Sequence, residues 1–216
     1  VRLPNHALAR AFIREANAPI AAPSANISGK PSPTEASHAK KDLAKKVDFI
    51  LSAEKSKFGI ESTVINILVK PPVILRQGAV TREEIEKVIG KVSNIVHHVL
   101  SKVQSPGMKY RHYAPKAKLI LVDHTKDIFL LIEKYQSAKK RVGVLGTREN
   151  YQYYKRADRI ILLGSNKNLN TCAANLFKSL RDFDRFNDVD IIISESFPEK
   201  GIGAAMMERL RKASGD

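Results

Sequence analysis

The chain contains little of several residue types that would mark particular classes of protein. It has 1 cysteine among 216 residues, so no disulfide can form within it and no cysteine cluster can bind zinc. Chains without disulfides are typical of reducing compartments, which favours a cytoplasmic location. No apolar run reaches the roughly 18 residues that a transmembrane helix needs, and no repeat or low-complexity tract is visible. We also expect no signal peptide. We therefore predict no membrane span, and we interpret Cys172, within an apolar helical segment, as a packing residue.

The charge of the chain is strongly one-sided. Lys and Arg number 37 against 22 Asp and Glu, a net charge of +15, while 43% of the residues are hydrophobic. The length allows one or two domains, and a positive surplus attracts nucleotides, phosphates and RNA. The same surplus can equally serve solubility alone. Four lysines lie on or beside one predicted helix face and are compatible with an RNA-binding module: Lys40, Lys41, Lys45 and Lys46.

Residues 19–34 form the most informative stretch of the sequence. Pro23, Gly29 and further prolines forbid regular structure, and small polar side chains such as those of Ser24 and Asn26 lie between them. A loop that exposes backbone N–H groups before a helix suits a phosphate. Ser32 as N-cap, with Glu35 three residues later, predicts a capping box. Both alternatives stay open here: a phosphate-binding loop, or an ordinary Pro/Ser loop before a well-capped helix.

Several motifs, in order along nearly the whole chain, resemble those of one family. The loop just described resembles the signature loop of YrdC-like proteins, and the linker motif at 105–115 resembles one found only in their longer, two-domain members. The other matching segments are Arg2-Leu3-Pro4-Asn5-His6, Gly59-Ile60-Glu61-Ser62-Thr63-Val64, Leu75-Arg76-Gln77-Gly78, Gly201 to Ala205 and Arg209 to Ala213. The chain thus resembles the long form of the threonylcarbamoyl-AMP synthase family.

This resemblance implies an α/β fold in three parts. Residues 1–90 would be the C-terminal half of a YrdC-like catalytic domain, 91–117 a linker that folds over the active site, and 118–216 a small Rossmann-like domain. Alternating helices and continuously apolar strands after residue 118 independently predict a parallel, helix-covered sheet. Because Val1 to Pro4 reads like the exit of a strand, we expect the front of the catalytic domain to be absent from this chain.

The sequence patterns also predict individual elements. Helices are expected over 4–17, 32–46, 81–89, 125–138, 148–155, 169–186 and 204–213. Strands are expected over 18–22, 47–51, 60–69, 73–75, 119–122, 141–145, 159–163 and 190–193. Thr81, with Glu84 three residues on, predicts a second capping box, and Gly90 is expected to end that helix.

The resemblance implies a nucleotidyltransferase that makes threonylcarbamoyl-AMP and pyrophosphate from L-threonine, bicarbonate and ATP. Its product would pass to a transferase that installs threonylcarbamoyladenosine in tRNA. Mg²⁺ would be held mainly by substrate oxygens, since no carboxylate pair marks a protein metal site. No acid, base or nucleophile is assigned, because such chemistry chiefly needs positioning and charge neutralisation.

The family match also implies site residues. The ATP-binding residues would be Ser24, Asn26, Ser32, Arg76, His112 and Tyr113. The threonine-binding residues would be Arg2, Ala22 and Ser62. An arginine offers a planar fork for phosphate or carboxylate, whereas Ser32 could serve as a helix cap alone. Two rival functions remain: a basic module that contacts double-stranded RNA or tRNA, and a nucleotide-sensing regulator without catalysis.

Overall fold

The computed structural model describes residues 4–94 and 113–215 of the chain. The predicted site residues Arg2 and His112, and the linker motif up to residue 112, lie outside the described residues.

The N-terminal part of the chain combines three helices with a small mixed sheet. Strands β1 and β2 are antiparallel, and β2 pairs in parallel with β3, so β2 is central. The elements are α1 (Ala7–Ala16), α2 (Ala36–Leu43), β1 (Val64–Asn66), β2 (Val73–Arg76), α3 (Arg82–Ile89) and β3 (Ser93–Asn94).

The C-terminal part confirms the predicted Rossmann-like organisation. Its four strands are all parallel and lie in the order β4-β7-β5-β6. The elements are β4 (Lys118–Val122), α4 (Asp127–Ser137), β5 (Val142–Thr147), a single 3-10 turn (Tyr151–Tyr153), β6 (Arg159–Gly164), α5 (Leu169–Phe186), β7 (Ile191–Glu195) and α6 (Ile202–Ser214). The helix expected over 148–155 is thus reduced to the 3-10 turn.

Helices cover both faces of this parallel sheet, as continuously apolar strands require. On one face, α4 and the buried ring of Tyr154 pack against Val142 and Val144. On the other face, α5 and α6 pack against Leu145 and Ile192. Cys172 is fully buried in this second core, which agrees with its interpretation as a packing residue.

The second core extends into the N-terminal part of the chain. Ile60 and Tyr113 belong to the same buried cluster as the apolar side chains of α5 and α6. Gly59 has a φ of +66°, and a Cβ there would lie 2.3 Å from the carbonyl oxygen of Ala174. Only glycine permits this backbone conformation and this close approach. The segment that begins at Gly59 therefore packs directly on the backbone of α5.

One of the two predicted capping boxes is confirmed and the other is wrong. Thr81 and Glu84 cap α3 reciprocally, and the helix ends at Gly90. Helix α2, however, begins at Ala36 with Glu35 as its N-cap, and no side chain caps it. Ser32 lies well before the helix, and its hydroxyl donates to Glu61 instead. The Ser32 hydroxyl therefore bonds to a residue distant in sequence, and not to the N-terminus of α2 as the local pattern predicted.

The strands predicted over 18–22 and 47–51 are also wrong, and the one over 60–69 is reduced to Val64–Asn66. Apolar side chains in the second segment are solvent-exposed: Phe49 is 89% and Leu51 is 62% exposed. A strand is stabilised by a hydrogen-bonded neighbour as well as by its own residues, and the described residues place no such neighbour beside these segments. Within the same described ranges, no helix has both the length and the hydropathy to cross a bilayer.

Candidate active site

The carboxylate of Glu61 is the centre of a polar cluster that gathers several predicted site residues. The hydroxyl of Ser32 donates to Oε1 of Glu61 at 3.0 Å. Nε of Arg209, from α6, donates to Oε2 at 3.1 Å. Burial and the charge of the same carboxylate both act on Tyr113, whose pKa they raise. Glu61 therefore links Ser32, a predicted ATP-binding residue, to the C-terminal domain.

The charge of Glu61 is stabilised by its neighbours. Burial by itself would raise the pKa of this carboxyl, but the positive charge of Arg209 opposes it, with contributions from the local backbone, Arg76 and the Ser32 hydroxyl. The net pKa lies below the ordinary value. Glu61 is thus a fixed anion at neutral pH rather than a proton-transfer group.

The segment that carries Glu61 is held in place by the turn after β2. The backbone N–H of Ala79 donates to the carbonyl of Glu61 at 3.2 Å. A Cβ at Gly78 would lie 2.2 Å from the backbone nitrogen of Thr63, so a larger residue would force the two segments apart. The hydroxyl of Thr63 donates to the carbonyl of Val80. This contact gives Thr63 a structural role.

Arg76 connects the predicted ATP-binding and threonine-binding residues. It lies at the end of β2, is 5% exposed, and donates from Nε and Nη2 to the carbonyl oxygen of Ser62 at 3.2 and 2.9 Å. The side chain of Ser62 itself is exposed. Contact between Arg76 and a phosphate stays a prediction, but Arg76 already fixes the backbone beside Ser62.

Tyr113 is buried at the junction of the two parts of the chain. Its ring is 4% exposed and stacks on Phe177 of α5, with ring centroids 4.9 Å apart and an interplanar angle of 19°. The guanidinium carbon of Arg209 lies 6.0 Å from the ring centroid. Burial and the charge of Glu61 raise the pKa of Tyr113, so its hydroxyl keeps its proton. One face of the ring is thus covered by Phe177, and contact between Tyr113 and ATP stays a prediction.

The predicted nucleotide loop, residues 23–34, is partly ordered by its own side chains. Nδ2 of Asn26 donates to the carbonyls of Ile27 and Lys30 at 2.8 and 3.2 Å. Oδ1 of Asn26 is buried and has no hydrogen-bond partner among the described residues. Ser24 is exposed, and its carbonyl accepts from the N–H of Asn26. The loop thus holds the amide of Asn26 in place and leaves Ser24 exposed.

The structure brings together Ser32, Arg76, Tyr113 and Ser62 around Glu61. Ala22 and Ser24 are exposed in the preceding segment, and no hydrogen bond within residues 4–94 and 113–215 links their side chains to this cluster. Glu61 stands inside the motif at 59–64 but was not among the predicted site residues. Arg209 was not predicted either, and its only signal in the sequence is the family-like motif at the end of the chain.

The described residues do not fit a protein-held Mg²⁺ ion. Both carboxylate oxygens of Glu61 are already bound, one by Ser32 and one by Arg209. The nearby carboxylate of Glu208 accepts from the N–H of Gln77 and from Lys212. No group of three or more metal-ligating side chains occurs in the part of the chain that the structure describes.

Comparisons with known proteins identify the family. A family model described as "Threonylcarbamoyl-AMP synthase, C-terminal domain" matches residues 80–215. The chain belongs to the threonylcarbamoyl-AMP synthase family. Residues 1–78 match a second family model, described as "Telomere recombination", whose name joins Sua5, YciO and YrdC. The two matches confirm the resemblance, including its YrdC-like part.

Individual members of the family match along the whole chain. The protein named threonylcarbamoyl-AMP synthase in Bacillus subtilis is 48% identical to this chain, and the one in Pyrococcus abyssi is 45% identical. Each match covers 100% of this chain, but only 62% of the B. subtilis protein and 63% of the P. abyssi protein. The crystal structure of P. abyssi Sua5 complexed with L-threonine matches with a TM-score of 0.90 at 44% identity, covering 99% of this chain and 63% of that one. A P. abyssi Sua5 with an adjacent His and Tyr both changed to Ala matches with a TM-score of 0.89 at 43% identity, covering 99% of this chain and 62% of that one. The chain thus spans about three-fifths of the length of these family members.

Proposed function

We propose that this chain is part of an L-threonylcarbamoyladenylate synthase, a nucleotidyltransferase that converts L-threonine, bicarbonate and ATP into threonylcarbamoyl-AMP and pyrophosphate. The proposal is supported by identities of 45% to 48% with synthases of that name over the whole chain. It is also supported by the close structural match to a Sua5 protein complexed with L-threonine. The product would serve threonylcarbamoyladenosine synthesis on tRNA, through a downstream transferase in the cytoplasm.

The main support for the proposal is a contact between the predicted ATP-binding residues and the predicted threonine-binding residues. Arg76, proposed to contact ATP, is bonded to the backbone of Ser62, proposed to bind threonine. The reaction joins these two substrates, because an oxygen of the threonine carbamate attacks the α-phosphorus of ATP and pyrophosphate leaves. A site that holds both substrates in reacting geometry lowers the barrier without a protein nucleophile.

Roles for the individual residues follow from this arrangement. For ATP we propose Ser24, Asn26, Ser32, Arg76, His112 and Tyr113, and for threonine Arg2, Ala22 and Ser62. The amide of Asn26 bonds to the carbonyls of Ile27 and Lys30, so its proposed contribution to ATP binding is to hold the loop in shape. Mg²⁺ that accompanies ATP is expected on substrate oxygens, because the described carboxylates near the site are already paired.

We also retain the proposed division into a catalytic part (1–90), a linker over the site (91–117) and a Rossmann-like domain (118–216). The adjacent His and Tyr that were substituted in the P. abyssi protein resemble the pair His112-Tyr113 of this linker. Contact with tRNA is proposed through the exposed lysines at positions 40, 41, 45 and 46, given the net charge of +15.

The decisive experiment measures pyrophosphate release by the full-length protein. We expect release from ATP only when L-threonine and bicarbonate are both present. Matched reactions would omit one substrate at a time, and another would replace L-threonine with L-serine. Release of pyrophosphate without threonine would refute the assignment, and equal rates with serine would contradict a pocket that recognises the threonine methyl group.

A further inference from the structure

The C-terminal domain holds the predicted nucleotide loop through a buried arginine of α5. Arg181 is 8% exposed and donates from Nε to the carbonyl oxygen of Pro31 at 2.9 Å, with Nη2 bonded to the same oxygen. Nη2 also donates to Oδ2 of Asp42 at 2.8 Å. Asp42 in turn accepts from the ammonium of Lys30 at 3.0 Å and from the N–H of Ile27 at 3.4 Å. One guanidinium therefore fixes the loop at residues 27, 30 and 31.

A second buried arginine, from α6, holds the next residue of the loop. Arg209 is 0% exposed and binds Glu61, which accepts from the hydroxyl of Ser32. Nη1 of Arg209 lies 3.1 Å from a carboxylate oxygen of Glu208. Arg181 and Arg209 thus act on adjacent residues, one through the carbonyl of Pro31 and the other through the side chain of Ser32.

The loop cannot set this part of its conformation alone. Pro31 and Pro33 have no N–H to donate, and the turn that Asn26 closes ends at Lys30. The conformation of residues 31–32 therefore depends on groups outside the loop. The two arginines supply charge-assisted hydrogen bonds, which are stronger than neutral ones, and their burial limits screening by solvent.

We propose that Arg181 and Arg209 are positioning residues, through which the C-terminal domain keeps the loop at 23–34 in the conformation that binds ATP. The inference rests on the proposed function, because it assigns the loop to ATP. It predicts that ATP affinity depends on two side chains of the C-terminal domain that act through Pro31, Asp42 and Glu61 rather than through contact with the nucleotide.

The test compares Arg181→Met and Arg209→Met with matched controls in the full-length protein. The controls are Arg185→Met on α5 and Arg211→Met on α6, whose side chains are 60% and 43% exposed. Arg185 pairs with Asp182 and lies over the Phe186 ring, and Arg211 pairs with Glu199. Hydrogen exchange is measured at the amides of residues 24–30, 32 and 34 without ligand. Dissociation constants for a non-hydrolysable ATP analogue and for L-threonine are measured by calorimetry.

We expect the two buried variants to exchange about tenfold faster in the loop and to bind the ATP analogue about tenfold more weakly, which corresponds to about 1.4 kcal/mol. Threonine affinity should change less, and the controls should match the parent. Unchanged loop exchange would overturn the positioning role, as would faster exchange with unchanged ATP affinity. If the parent protein binds no ATP analogue while the loop still exchanges faster, the proposed function fails and the mechanical role of the arginines stands.

Thermal unfolding checks that each variant is folded. Should the methionine variants not fold, Arg181→Lys and Arg209→Lys carry the same comparison, because lysine keeps the charge but cannot reproduce the planar fork. Asp42→Asn provides an independent arm, since it weakens the hold on Lys30 and leaves the bond from Arg181 to Pro31 possible. Faster loop exchange in Asp42→Asn supports the proposal. Exchange equal to that of the parent in Asp42→Asn and in the variants of both Arg181 and Arg209 refutes it.

Discussion

The ion pair between Glu61 and Arg209 should couple the two parts of the chain strongly. The perturbations are Glu61→Gln, Arg209→Met and the combination of both. At a separation of 3.1 Å, Coulomb's law with an effective dielectric constant of about 20 gives an attraction of ~5 kcal/mol. The side chain of Arg209 is 1% exposed and that of Glu61 is 18% exposed, so water screens the pair only weakly. Desolvation of the two charges offsets part of their attraction. The nearby carboxylate of Glu208 partly compensates Arg209 when Glu61 is changed.

We therefore expect each single variant to lower the free energy of unfolding by about 3 kcal/mol. The double variant should lose about 2–3 kcal/mol less than the sum of the two, because it leaves neither charge buried without its partner. Urea denaturation with linear extrapolation measures these differences. Arg211 lies on the same helix as Arg209, and its exposed pair with Glu199, which precedes that helix, is the matched control. This pair should couple by less than about 1 kcal/mol. Additivity within about 0.5 kcal/mol for Glu61 and Arg209 would refute the reasoning.

The same pair gives the direction of a pH effect. The folded state lowers the pKa of Glu61 from its ordinary value of 4.5, so the unfolded state takes up its proton first as the pH falls. The stabilisation by Glu61 is therefore complete above that ordinary value and is lost as the pH falls through the lower pKa of the folded state. The coupling measured at neutral pH should shrink under acidic conditions, and Glu61→Gln should remove the corresponding part of the pH dependence.

Two further predictions concern the substrates and the linker. Arg76→Ala should weaken ATP binding more than threonine binding, and Arg2→Ala should do the reverse, each by roughly 1.5–3 kcal/mol for a lost charged hydrogen bond. Calorimetry measures the two affinities, and circular dichroism checks that each variant is folded. Equal losses of affinity for both ligands in both variants would indicate a damaged fold instead. A linker that closes over the site would act as a lid and protect the reactive product from water. In that case, adding ATP and threonine together should slow tryptic cleavage after Arg111. Cleavage that is indifferent to ligand would leave the linker as a tether.

The sequence predicted the C-terminal domain far better than the N-terminal part, and the difference has a physical cause. Helix α5 was predicted over 169–186 and is observed as Leu169–Phe186, because its amphipathic period and its neighbouring strands all lie within the same stretch of chain. The predicted strands over 18–22 and 47–51 have apolar residues but no neighbouring strand among the described residues. Local propensity was present there, whereas the hydrogen-bonding partner that turns propensity into a strand was not.

The candidate site was predictable only as a set of separate motifs. The resemblance supplied Ser32, Arg76 and Tyr113, and each could be named without knowledge of the others. The residues that bring them together could not be found in the same way, because Glu61 and Arg209 are 148 positions apart and Pro31 and Arg181 are 150 apart. No periodicity or spacing rule reports such pairs, since their contact depends on how two folded units pack.

The use of buried charges at this junction distinguishes it from a purely apolar interface. An apolar contact would bury comparable area but would tolerate small shifts in register, whereas a guanidinium that must meet a particular carbonyl or carboxylate does not. Breaking such a pair is costly even where forming it adds little net stability. Arg181 and Arg209 therefore fix the position of the loop at 23–34 relative to α5 and α6 more than they strengthen the junction. The proposed reaction depends on the placement of two substrates, and precise position of this loop is what the C-terminal domain would supply to it.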